Sequence, residues 1–480
     1  MDAPAPPPSP IVYLSQAHII ADGKTDETKP LQALFDLAED GRPIEIVNDL
    51  AKPVMTSGND VWPNTTVRTL GGAGWILAPG STRGILRNKH PLASWPKGAH
   101  RQDGQTSAGP TPPEDSNITI VGGLYDGNRR SGAWPNDGRT PTNAHPVLGR
   151  DNLLVSTLQF YGVKHLALRD VHVYDSPSLA IHVGNIVDLV SEDCSIECPS
   201  VIYNSNTDGF HINGPATNIS IYNLKLKQTG DDALPLNADD SMEATTEGNQ
   251  ATYFGMTAGW GPIEHVRVHG IYFDRCSSGI RTLSATQRID DVIISDIQGT
   301  CMAGPILLDK YLFNHDPGNI GTMTFENVHV TTLGLTYDGM APGPAMYPAL
   351  PVAPVGPPGE VVLCHEKFEN LIFRNVTHVG GNASRWASFF DCEVGTLSFD
   401  RLTFHDSQAG TDGTQLVHID PNATVHSMSV NGVNWFSTHK QTGAFIGNAG
   451  KIDRLLMTNV IIPHEAKAIV GNPPVEKASP

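Results

Sequence analysis

The stretch NISIYNLKL, residues 218–226, places Ile219, Ile221, Leu224 and Leu226 at alternating positions, with one break of phase at Tyr222–Asn223. Alternation with period two and β-branched residues reads as strand, and Asn223 is a residue that tolerates a sharp bend. The unit is therefore two short strands joined at a corner. It recurs as NITIVGGLYDG from Asn117, HLALRDVHVYD from His165, HVRVHGIYF from His265, DVIISDIQG from Asp291 and MTFENVHV from Met323. NLIFRNVTH from Asn370, LSFDRLTF from Leu397, MSVNGVNWF from Met428 and LLMTNVII from Leu455 continue it, and DLVSEDCSI from Asp188 is a weaker copy. Copies fall about 23–31 residues apart, with three gaps near 48. One such unit is too thin to bury its own apolar face, so successive units must stack. A β-sandwich also has many short strands, but it does not keep one phrase in step for so long. The expected fold is all-β, a right-handed parallel β-helix.

Around this repeat, LQALFDLAEDG, from Leu31 to Gly41, is the best helical signal and reads as a short N-terminal capping helix. We expect an extension over 1–20, one β-helix domain over 21–465 and a tail over 466–480. Pro- and Gly-rich insertions break the phrase near 88–116, 127–152 and 337–360, and such loops often lie on a binding side.

The chain has 480 residues, 17% of them charged, and a net charge of −18. An acidic surface repels nucleic acid and anionic membranes, so neither is an expected partner. No apolar run approaches the roughly 20 residues that span a bilayer. MDAPAPPPSP lacks the apolar segment of a signal peptide. Cys276 to Cys301 and Cys364 to Cys392 each span about one coil, and Cys194 and Cys198 are close in sequence. Three disulfides and buried free thiols are both compatible with that spacing.

Two glycine-marked stretches, NTDGF (206–210) and TGDDA (229–233), lie one repeat apart. In a parallel stack they sit on neighbouring rungs, about 4.8 Å apart. Asp208, Asp231 and Asp232 then converge, and like charges at that range force one carboxyl to keep its proton. A protonated acid beside an ionised base is the arrangement of an inverting glycosidase, for which a separation of roughly 6.5–9.5 Å is expected. Turn chemistry and a calcium site, favoured by clustered carboxylates, are the other readings of the same spacing.

NTDGFHI followed by NISIYNLKLKQTGDDALPLN resembles glycoside hydrolase family 28, the polygalacturonases and their relatives. CSSGIRTLS from Cys276 is similar to that family's Gly-x-Arg-Ile-Lys phrase. GPILLDKYL from Gly304 is similar to its proline-isoleucine…Asp-Gln-x-Tyr phrase, and ADGKTDETKPLQALFD from Ala21 resembles the entry segment of family 28-related proteins. The resemblance implies Asp231 as general acid, with Asp208 and Asp232 holding and deprotonating the attacking water. It implies Arg281 and Tyr311 as sugar contacts, with Asp309 grouped with them; Arg281 could equally neutralise the carboxylates, and Tyr311 could pack between coils. No cofactor or metal is implied.

Asn206 would orient Asp208 or form part of a turn ladder. His211 could replace a histidine the family carries, although strand alternation points Asp208 and His211 to opposite faces. Trp260, in AGWG, would stack on sugar or pack between coils. The family's Gly-His-Gly motif has no counterpart between TGDDA and HVRVHG, and its Lys is Leu283 here. Polygalacturonate is therefore a poor expected substrate, and a neutral or differently charged polysaccharide a better one. A polysaccharide lyase and a glycan-binding tailspike shaft are the competing readings. The expected setting is secreted, extracellular or periplasmic, as a monomer, or on a virion as a trimer if the chain is of phage origin.

Overall fold

A computed structural model describes residues 10–91, 113–131, 155–199, 207–238, 261–302, 304–309, 317–332, 360–380, 385–406 and 414–477. Most of each expected insertion falls outside these residues. Among them, thirty strands join in one continuous, all-parallel hydrogen-bonded system, the expected right-handed parallel β-helix. Each coil of the central region has a long strand that turns a corner and a short one that follows. Examples are Phe210–Lys227 with Asp232–Asn237, Ile263–Cys276 with Ser278–Leu283, and Ile289–Cys301 with Ile306–Asp309.

The corners explain the sequence phrase. Asn117, His165, Asp188, Asn218, His265 and Asp291, each at the start of a copy, all have φ between 50° and 62°. So do Asp170, Asp193, Asn223, Asp296, Asn327 and Asn375 at the break of phase. Short polar side chains accept this left-handed conformation because they can bond locally. They also bond between coils: Asn218 Nδ2 donates to Asp188 Oδ1 at 2.8 Å, and Asn375 Nδ2 to Asn327 Oδ1 at 2.7 Å.

Between the corners, apolar residues stack in file. Leu166, Leu189, Ile219, Val266, Val292, Met323, Leu371, Leu397, Met428 and Leu455 occupy successive rungs of one row, and all are buried. Each contributes about 1.5–3 kcal/mol by leaving water. The helix spans Thr28–Phe35, starting before the expected segment and ending within it, and buries Leu31 and Phe35 in the same core. Strands Lys467–Gly471 and Glu476–Lys477 continue the ladder toward the C-terminus. All six cysteines are buried free thiols, so of the two readings left open by their spacing the structure takes the second.

One sheet of the helix matters for function. Its rungs are the first residues of Leu158–Arg169, Ile181–Glu192 and Phe210–Lys227, followed by the short strands Asp232–Asn237, Ser278–Leu283, Ile306–Asp309, Val362–Cys364, Ala387–Phe389 and Gln415–Ile419.

Candidate active site

Asp208 stands just before the strand Phe210–Lys227, and Asp232 opens the strand Asp232–Asn237 on the next rung. The pairing of Ile212 with Leu236 puts Asp208 and Asp232 in line. The backbone ties them together: Gly209 N donates to Asp232 O at 2.9 Å, and Asp232 N donates to Asp208 Oδ1 at 3.2 Å. Gly209 is required here, since a Cβ would strike the Ala233 carbonyl oxygen and the Leu226 side chain. Gly230 N and Asp231 N both donate to Thr207 O, which folds the TGDDA turn onto the preceding rung. One carboxylate oxygen from each of Asp208, Asp231 and Asp232 lies within 4.8 Å of the others. The three acids converge as their spacing implies, but more tightly than the roughly 6.5–9.5 Å of a typical inverting pair.

The partners of the three acids differ. Asp208 Oδ2 lies 2.6 Å from His211 Nδ1, and both residues are buried. Asp232 receives a hydrogen bond from Ser278 Oγ, one rung on, and another from Arg281 Nη1 at 3.1 Å. The other arm of Arg281, Nη2, donates to Asp309 Oδ2 at 3.0 Å. Among the described residues the Asp231 carboxyl has no such donor, and it keeps partial exposure. Burial, then the charges of Asp232 and Asp208, push Asp231 well above the usual carboxylate range, and Arg281 pulls the other way. These effects favour the protonated form of Asp231, while Asp208 and Asp232 accept hydrogen bonds from their donors.

The contact of His211 with Asp208 corrects the expectation that they face apart. Asp208 precedes the strand, and the bend at Gly209 lets its side chain fold over His211, so strand alternation does not govern the pair. His211 is in turn set edge-on to His182 of the preceding coil, ring centroids 5.2 Å apart. His182 Nε2 meets Asn213 Oδ1 at 2.7 Å, and burial pushes its pKa well below the usual histidine value. A neutral His182 therefore donates to Asn213. His182, Asn213 and Ser278 were not singled out in the sequence. Only the register found here, His182 opposite His211 and Asp232 opposite Ser278, brings them in.

Arg281 and Asp309 lie at the site as an ion pair. Both residues flank the acids on the following rungs. Leu283, at the position of the family's Lys, is buried and directly opposite Asp309. Asn206, Trp260 and Tyr311 lie outside the described residues. Three carboxylates are suitable donors for a hard cation. Here, though, Asp208 and Asp232 already accept from His211, Ser278, Arg281 and a backbone N–H.

Residues 115–337 match the family model "Glycosyl hydrolases family 28". An exopolygalacturonase of Oenothera organensis is 28% identical over 205 residues, 40% of this chain and 54% of that protein. An exopolygalacturonase of Platanus acerifolia is 24% identical over 207 residues, 40% of this chain and 52% of its own length. The chain thus spans about half the length of the curated relatives it matches. A solved family 28 exopolygalacturonase of Yersinia enterocolitica superposes with a TM-score of 0.48 at 15% identity, over 97% of this chain and 79% of that one. On its motifs and over this matched span, the chain, a parallel β-helix, is similar to the glycosyl hydrolases of family 28.

Proposed function

We propose that the protein hydrolyses glycosidic bonds of a polysaccharide, with Asp231 as general acid and Asp208 and Asp232 positioning and deprotonating the attacking water. The observation that carries this reading is the asymmetry of the cluster. Asp231 is pushed well above the ordinary range and is free of donors among the described residues, while Asp208 and Asp232 each accept two or more hydrogen bonds. A protonated Asp231 donates to the leaving oxygen as the bond to the anomeric carbon breaks. Water attacks from the opposite side, and its proton passes to Asp208 or Asp232. The proposed outcome is inversion, which rests on the family resemblance rather than on the carboxylate spacing.

The substrate we infer is not plain polygalacturonate. Arg281 is already shared between Asp232 and Asp309, and Leu283 supplies no second cation. A uronate carboxylate would meet three aspartates and little free positive charge. A neutral or weakly charged glycan fits better. We further propose a secreted or periplasmic monomer that acts without a cofactor.

The test is incubation with a panel of neutral and acidic polysaccharides, with reducing ends assayed and the anomer of the first product followed by NMR. Release of reducing ends from a neutral polymer with inverted configuration is the expected result. Retention in the first product refutes the water-attack mechanism, and an unsaturated product absorbing near 235 nm would identify a lyase instead.

A further inference from the structure

The row that holds Asp232 continues past it. Asp232 pairs with Ser278, and the pairings Ile280 with Ile306, Ile306 with Val362, Val362 with Ala387 and Ala387 with Val417 carry that row through Gly304, Glu360, Arg385 and Gln415. Glu360 therefore lies three rungs beyond Asp232, about 14 Å along the same row. Leu307 and Leu363 pair on a neighbouring row, between Arg281 and Ser388.

A second polar cluster begins there. Glu360 is 2% exposed, and its Oε1 accepts from Ser388 Oγ at 2.6 Å. Its Oε2 is buried with no hydrogen-bond partner among the described residues. Arg385 approaches only to 4.0 Å from Oε1, a distance that leaves the pair unclosed. A buried carboxyl in a purely structural ion pair has both oxygens covered, because an uncompensated one is costly. Burial pushes Glu360 up to about 7 against the pull of Ser388, Arg385 and His365, so near neutrality it can either accept or donate. Two positions beyond Ser388, Phe390 keeps part of its surface exposed. It is stacked on His365 at 4.7 Å and 10°, with His418 edge-on at 6.5 Å. That is a flat aromatic surface near a guanidinium and a carboxyl whose second oxygen is buried without a hydrogen-bond partner among the described residues.

We propose that Glu360, Arg385, Ser388 and the Phe390 platform form a second sugar-binding subsite, for an uncharged, hydroxyl-rich unit of the same glycan that is cleaved at the aspartates. The inference rests on the hydrolase reading above. A sugar hydroxyl satisfies Glu360 Oε2, the Arg385 donors take a neighbouring oxygen, and the C–H face of the ring lies on Phe390. An anionic sugar is excluded by charge: its carboxylate would enter beside Glu360, with Asp391 and Asp420 at the edge of the platform.

The experiment uses the full chain carrying D231N, run in native gels containing guar galactomannan, larch arabinogalactan or polygalacturonate. E360Q and F390A are added singly to this background, and a melting curve checks that each folds. The expected result is retardation of D231N by a neutral polymer and a loss of about tenfold in apparent affinity in each double variant, the value of one good contact. In the active protein the same substitutions raise KM for that polymer more than they lower kcat. Retardation that E360Q and F390A leave untouched overturns the subsite while the hydrolase reading stands. Retardation by polygalacturonate in preference to the neutral gums overturns its proposed specificity. A D231N protein that none of the three polymers retards, in a chain whose parent releases no reducing ends from them, counts against both readings.

Discussion

His211 Nδ1 lies 2.6 Å from Asp208 Oδ2, so a histidine three residues along the chain grips the first aspartate of the cluster. His211 does not reach Asp231 through any described hydrogen bond, and we propose that it fixes the orientation of Asp208. We expect H211L to lower kcat by about 10–100-fold with little change in KM, the effect of losing one charge-assisted hydrogen bond. H211N keeps a donor and is expected to restore part of the loss. A melting curve together with the kcat and KM of both variants checks this. Equal activity of H211L and the parent would remove His211 from the site.

The pH profile should report on Asp231. The general acid must be protonated, so activity falls as pH rises through its raised value. Arg281 is the group that opposes this rise. Replacing it, as in R281Q, removes a nearby positive charge and should move the alkaline limb of kcat to higher pH, alongside a lower overall rate. The measurement is the rate of reducing-end release across pH for parent and variant. A limb that moves to lower pH would contradict the assignment of Asp231 as the acid.

Much of this was legible in the sequence, for physical reasons that particular residues make plain. Asn218 and Asn223 mark two corners because left-handed backbone is open to few side chains, and the apolar positions between them must alternate to fill a stack. That periodicity also brings Asp208 level with Asp232. Three features were hidden. The grip of His211 on Asp208 depends on a bend at Gly209 that no alternation rule describes. Ser278 reaches Asp232 across 46 residues, against the 24 that separate Asp208 from Asp232. Glu360 joins the same row after a break in the repeat, so its place on the site-bearing face is visible only from the register of Ile306 with Val362. The asparagines and glycines of turns carry local rules, whereas inter-rung contacts depend on loop lengths that sequence spacing alone does not resolve.

The three carboxylates also predict a response to divalent cations. A cation bound among Asp208, Asp231 and Asp232 would favour their ionised forms and expel the proton that Asp231 needs. Millimolar Ca²⁺ is therefore expected to inhibit, less strongly as pH falls and protons compete with it for the carboxylates, and EDTA to leave activity unchanged. Assays with added Ca²⁺ and with EDTA decide it. Activation by Ca²⁺ would favour a metal-dependent lyase.

D231N tests the acid and the cost of the site together. Asp231 has no hydrogen-bond donor among the described residues, and the neighbouring carboxylates disfavour its charge. The folded chain thus holds this proton more tightly than the unfolded chain does. The stability it contributes is complete below the unfolded Asp value of about 3.9 and is lost as pH rises through the raised folded value. An amide cannot ionise, so D231N escapes that loss. We expect it to be inactive by about 10²–10⁴-fold in kcat, yet to unfold at a higher denaturant concentration than the parent at pH 8, by about 1 kcal/mol. The gain should vanish at pH 3.5, where the parent also carries a neutral Asp231. A variant less stable than the parent at both pH values would mean that Asp231 supports the fold, and that the crowded acids are held together by packing rather than for catalysis.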